Sequence, residues 1–262
     1  MMSETFRLPM RMRRGHPLTA CAAVLVAAVF TWRCGSAPET VPADPSALSK
    51  GLAGRYEGTI PCPDCRGIRV DLRLGPEDLF VLSRTYVGVV EGDASRDAVV
   101  GLWTPPRDGG RLTLEGVGPP FHQLILKPDG SLGMVNDRGE EIVYDPNFRL
   151  VPGTADGSAG GAAPFRGLFA YMADAALFTE CGTGRSFPVA MEGDYLALER
   201  AYLQAGETAG QAQLVTLDGR FDHRPKMEGE GRQVTLVVER FDGIWPEEDC
   251  GGGTPDAARA QP

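Results

Sequence analysis

Gly58-Thr59-Ile60-Pro61-Cys62-Pro63-Asp64-Cys65-Arg66-Gly67-Ile68-Arg69-Val70-Asp71-Leu72-Arg73-Leu74 is the stretch whose reading decides the fold. From Ile68 onward, Ile68, Val70, Leu72 and Leu74 alternate with Arg69, Asp71 and Arg73, the period of a strand with one buried face. Just ahead of it, Cys62 and Cys65 stand two residues apart. Such a pair offers a short disulfide, a thiol-exchange centre or half of a soft-metal site. Thiol exchange of the thioredoxin type places its thiol at a helix start within a βαβ unit, whereas this pair precedes a strand in a β-rich segment.

Outward from that strand, Leu79 to Val87, Ala98 to Trp103, Arg111 to Glu115, His122 to Lys127 and Ser131 to Asn136 read as further short strands. Arg107-Asp108-Gly109-Gly110, Pro128-Asp129-Gly130 and Asn136-Asp137-Arg138-Gly139 supply turn chemistry between them. Short strands at close spacing imply an antiparallel sheet curled into a barrel over residues 52–151. Pro152 to Pro164 (PGTADGSAGGAAP) holds no large apolar side chain and reads as a linker. Residues 165–250 then mix strands with one helix. Tyr195, Leu198 and Tyr202 follow helical spacing, Leu196 and Leu203 widen the same apolar face, and Gly206 stops the run. Gln213 to Leu217 and Gln233 to Arg240 read as strands, a content that suits an OB-fold. The expected class is mostly all-β: a barrel, then an OB-fold with one helix. Residues 251–262 read as a disordered tail.

The N-terminus reads as a targeting segment. Arg7, Arg11, Arg13 and Arg14 precede an uncharged apolar run, Leu18 to Phe30, of signal-peptide length and short for a bilayer span. Cys34 follows, the layout of a bacterial lipoprotein precursor in which that thiol is acylated after residues 1–33 are removed. Thr31-Trp32-Arg33 are not the small residues such a processing site favours. Residues 34–51 then form a lipidated Cys and a Pro-, Ala- and Ser-rich tether. The net charge is −9, and the leader holds five Arg against one Glu, so its loss leaves the chain more acidic still. That balance opposes a broad surface for nucleic acid or anionic lipid.

Six cysteines are present. With Cys21 in the leader and Cys34 at the lipid site, four remain in a compartment that oxidises thiols. Four allow three pairings; the economical one joins Cys62 to Cys65 and Cys181 to Cys250. Reduced, Cys62 and Cys65 suit Cu(I), while zinc needs further ligands that the nearby sequence lacks. No Gly-x-Ser-x-Gly, His-Glu-x-x-His, P-loop or Rossmann fingerprint occurs, and His122 and His223 alone lie beyond the leader, so an enzyme is not expected. A lipocalin-like carrier of an apolar ligand requires an open barrel cavity.

The Cys62/Cys65 segment resembles the N-terminal domain of the NlpE (CutF, copper homeostasis) lipoprotein family, approximately G-x-x-P-C-A-D-C-x-G-I, with Pro63 where Ala is usual. The second half resembles that family's C-terminal domain through Tyr171 to Ala176, Phe178-Thr179-Glu180-Cys181-Gly182-Thr183-Gly184-Arg185, Leu198 to Leu203, and Trp245-Pro246 ahead of Cys250. The resemblance implies a lipocalin-like barrel and an OB-fold, held at the outer membrane by the lipid on Cys34 and facing the periplasm. It also implies a sensor or adaptor of envelope stress, contacting a sensor-kinase ectodomain of the Cpx type, with links to copper tolerance and surface contact. Buffering of copper by Cys62 and Cys65 is the alternative function, and no other cofactor is expected.

Overall fold

The computed structural model describes residues 51–75, 78–89, 95–106, 110–145, 147–154, 161–173, 175–205, 210–226 and 229–251. The leader, Cys34, nearly all of the tether, and the tail from residue 252 onward lie outside the described residues.

Eight strands build the first barrel: β1 Gly54–Ile60, β2 Gly67–Leu74, β3 Leu79–Val87, β4 Arg96–Thr104, β5 Arg111–Leu114, β6 Gln123–Leu126, β7 Leu132–Met134 and β8 Arg149–Pro152. Each pairs antiparallel with the next, and β8 returns to β1 through Glu57↔Val151, so the ring closes. Closure removes most of the unpaired edge that an open sheet presents. Tyr56, Leu72, Phe80, Leu82, Trp103, Leu112, Leu124, Leu132, Met134 and Leu150 form one buried cluster. Phe80, Leu72 and Leu124 are each fully enclosed, so side chains fill the interior. That packing is contrary to the open cavity a carrier of small apolar ligands needs.

The second barrel comprises β9 Ala163–Met172, β10 Ala175–Glu180, β11 Ser186–Gly193, α1 Tyr195–Ala205, β12 Gln213–Pro225 and β13 Arg232–Trp245. Its strands close in the order β9-β10-β11-β13-β12-β9, with β11 and β13 parallel and the helix between β11 and β12. This is the five-stranded topology of an OB-fold. The strand β9 opens at Ala163, inside the stretch read as linker, because Ala163 and Pro164 pair with Gly219 and Asp218 and Ala163 is buried. In the helix, Tyr195, Leu198 and Tyr202 face the core, but Leu196 and Leu203 are 58% and 61% exposed. The apolar stripe read from the sequence is therefore wider than the face that packs.

Strand β4 is shared. Its end, Trp103–Thr104, pairs with β5 and closes the first barrel, whereas at Ala98 it bridges β9 in parallel through Phe165. Leu79, Val81, Ala98 and Val100, which point away from the first barrel's interior, belong to the core of the second. The run Leu79-Phe80-Val81-Leu82 is apolar on both faces for that reason, as strands covered on both sides are.

Glycine occupies inward positions where backbones approach most closely. A Cβ on Gly167 of β9 would meet the Phe178 ring at 2.4 Å and the Thr179 carbonyl at 2.6 Å. Gly167→Ala is expected to destabilise the second barrel by about 1–3 kcal/mol through overpacking, read as a lowered urea midpoint at unchanged slope.

Candidate functional site

The Cys62–Cys65 disulfide sits in the turn joining β1 to β2, with a Cα–Cα distance of 5.2 Å. The turn is sealed from below by the Ile60↔Ile68 pair at the end of the β1–β2 ladder. On its far side the Arg66 amide donates to the Val87 carbonyl at 2.8 Å, extending the β2–β3 ladder by one residue. The motif therefore follows a strand as well as preceding one. Pro61, Pro63, Asp64 and Arg66 are exposed while both cysteines are half-buried, so the pair lies at a barrel rim within reach of solvent.

As a disulfide the pair does not fit copper: each sulfur is committed to the S–S bond, and Cu(I) binds thiolates. Among the described residues no group of three or more His, Cys, Asp or Glu side chains gathers round a common point. Methionine sulfurs are scattered: Met134 is buried in the first barrel, and Met172 and Met191 are 64% and 58% exposed. His122 is half-buried, and its Nδ1 has no hydrogen-bond partner.

Cys181 and Cys250 form the second disulfide, spanning 69 residues. Cys181 follows β10 directly, in the turn Glu180-Cys181-Gly182-Thr183-Gly184-Arg185, and Cys250 lies just beyond β13. The bond thus ties the segment that follows β13 to the β10–β11 turn. That turn has a second partner. Thr183 Oγ1 lies 2.6 Å from the Val100 carbonyl of β4, and a Cβ on Gly116 would meet the Thr183 side chain at 2.9 Å. Glu180 at its base is 2% exposed and accepts the Gly182 and Thr183 amides, each at 2.7 Å. Burial raises its carboxyl above the ordinary range, while those hydrogen bonds act in the opposite direction.

Sequence reasoning found the cysteines but not the docking role of this turn. The available signal was a Glu among small residues, Glu180, Gly182, Thr183 and Gly184, between two strands. A carboxylate there reads as surface unless the partner strand is known.

The chain is thus a two-barrel β protein, an eight-stranded barrel followed by an OB barrel, with one disulfide in each. The family model described as the NlpE N-terminal domain matches residues 56–144, and the NlpE C-terminal OB domain matches residues 159–251. The chain belongs to the NlpE family. Lipoprotein NlpE of Escherichia coli (strain K12) is 29% identical over 233 residues, covering 87% of this chain and 94% of that protein. Two solved structures are also similar. The crystal structure of the Cpx pathway activator NlpE from Escherichia coli is 28% identical and covers 76% of this chain and 98% of that one, with a TM-score of 0.32. A putative lipoprotein from Shewanella oneidensis is 23% identical over 41% of this chain and 95% of that one, with a TM-score of 0.34.

The two disulfides differ in the loops they close. In the chain-entropy account, the long bridge contributes about 4 kcal/mol and the short one about 2 kcal/mol. Urea unfolding should therefore show a larger loss for C181S/C250S than for C62S/C65S. Equal losses would mean that loop closure does not govern their stabilisation.

Proposed function

We propose that this chain is an exported, lipid-anchored protein of the bacterial envelope that senses envelope stress and passes the signal to a two-component sensor kinase. It acts as an adaptor, not as an enzyme. The observation that carries this reading is the succession of both NlpE domains in order, together with a curated lipoprotein relative aligned over 87% of the chain. The family resemblance supplies the finer terms: acylation at Cys34, retention at the outer membrane facing the periplasm, and contact with a sensor-kinase ectodomain of the Cpx type. Surface contact, lipoprotein maturation, and redox or copper state are the inputs.

The physical features agree with such a role. The acidic chain disfavours broad association with nucleic acid or anionic lipid, leaving a lipid on Cys34 as the membrane contact. The filled first barrel favours surface recognition over transport. The half-buried Cys62–Cys65 pair at its rim is accessible to reductants, and its short loop gains less from closure than the Cys181–Cys250 loop.

A transcriptional reporter of the cognate two-component pathway tests the reading. Overproduction of the wild-type chain should raise output. Cys34→Ala should move the protein from the membrane to the soluble fraction and alter that output. C62S/C65S should change the response to a reductant while leaving the response to overproduction. Output indifferent to both deletion and overproduction contradicts the proposal.

A further inference from the structure

The joint between the barrels holds a hydrogen-bond conflict that only a proton resolves. Thr183 Oγ1 lies 2.6 Å from the Val100 carbonyl of β4 and 2.8 Å from Glu180 Oε2. A hydroxyl carries one hydrogen. With Glu180 ionised, both neighbours are pure acceptors, and one of the two short contacts has no hydrogen in it. We propose that Glu180 is protonated when the barrels are joined, and that this proton completes the chain Glu180 Oε2–H to Thr183 Oγ1–H to the Val100 carbonyl. Release of the proton to solvent leaves Thr183 with two acceptors for one hydrogen and loosens the joint.

Burial favours the neutral form: Glu180 is 2% exposed. The Gly182, Thr183 and Val100 amides that point at its carboxyl act in the opposite direction, and burial is the larger effect. The Val100 amide faces the same carboxyl, so Glu180 and Thr183 together cover the N–H and C=O of an otherwise open stretch of β4 edge. Charged side chains on the packed elements are engaged elsewhere. Arg166 of β9 bonds Glu248 and the Asp249 carbonyl, and Arg96 and Asp97 of β4 pair with Asp218 and Arg84. Glu115, at the end of β5, is exposed, and within the turn Arg185 meets Glu180 through its main-chain carbonyl. The steric fit is close as well: a Cβ on Gly182 would meet Val99 Cγ1 at 2.5 Å.

The direction with pH follows. Burial places the Glu180 carboxyl above its ordinary value. An acid raised in the folded state contributes its full stabilisation below its unfolded pKa and loses it as pH rises through the folded one. The joint is therefore tightest in mild acid and weakens toward neutral and alkaline pH. This clasp stands apart from the redox chemistry of either disulfide and does not depend on the signalling role.

Hydrogen exchange of the full chain, corrected for intrinsic rates, tests it. Protection of the β4 segment Val99–Gly101 should fall severalfold between about pH 5 and about pH 8. Protection within β2, away from the joint, should change far less. E180Q should abolish the pH dependence. T183V, which leaves Glu180 in place but removes the relay, should lower β4 protection at every pH and flatten its course, and T183S should restore the wild-type course. Wild-type protection that is flat with pH overturns the proposal. So does either E180Q or T183V following the wild-type curve.

Discussion

Strand β4 cannot satisfy itself within one barrel, and the rest of the architecture depends on how its edge is covered. Among the described residues Trp103 and Thr104 pair with β5 and the Leu102 carbonyl accepts the Glu115 amide, so the strand's earlier half presents backbone groups beyond the first ring. An exposed strand edge invites pairing with another chain. Here the second barrel covers it from within the same chain. Phe165 of β9 bridges Ala98, Thr183 reaches the Val100 carbonyl, and Arg96 pairs with Asp218 of β12. Arg73 of β2 also donates to the Gly161 carbonyl at 2.7 Å, just ahead of β9. Apolar burial reinforces the polar contacts, since Leu79, Val81, Ala98 and Val100 lie within the second barrel's core. The two halves are therefore one body built on a shared strand.

The outer surfaces divide by chemistry. On β12 and β13, Arg220 meets both Asp222 and Glu239, Arg224 meets Asp222, and Arg240 separately pairs with Asp218. Most of these side chains are half-buried, and ion pairs near the surface contribute little individually. The short first disulfide lies at the opposite extreme of the chain's chemistry, at a barrel rim among prolines, where a redox change alters a loop and leaves the core intact.

Much of this was legible in the sequence. The β2, β3 and β4 patterns, the helix from Tyr195, and the β12 and β13 cores announce themselves by periodicity. Strands β1, β8, β9, β10 and β11 are not read as strands from the sequence. In β1 the inward positions are Tyr56, Gly58 and Ile60; a Cβ on Gly58 would sit 2.6 Å from the Arg149 carbonyl. In β9 the inward row is broken in the same way by Gly167. A strand whose core-facing residue must be glycine loses the alternation that identifies it. The four cysteines beyond Cys34 are visible in the sequence, yet the place of Cys181 in the turn that docks on β4 requires the partner strand, which lies some eighty positions earlier in the chain. Likewise, Leu79 to Val87 reads from the sequence only as a strand, and what covers the second face of Leu79-Phe80-Val81-Leu82 is seen in the structure alone.

A strand shared between the two barrels makes them one cooperative body. The most direct measurement is urea unfolding of two single-tryptophan chains, one retaining Trp103 in the first barrel and the other Trp245 at the end of β13, each also followed by circular dichroism. A shared β4 predicts coincident transitions with a common midpoint and slope within each chain, whichever probe is used. Separate transitions, with one barrel persisting after the other has unfolded, would contradict it.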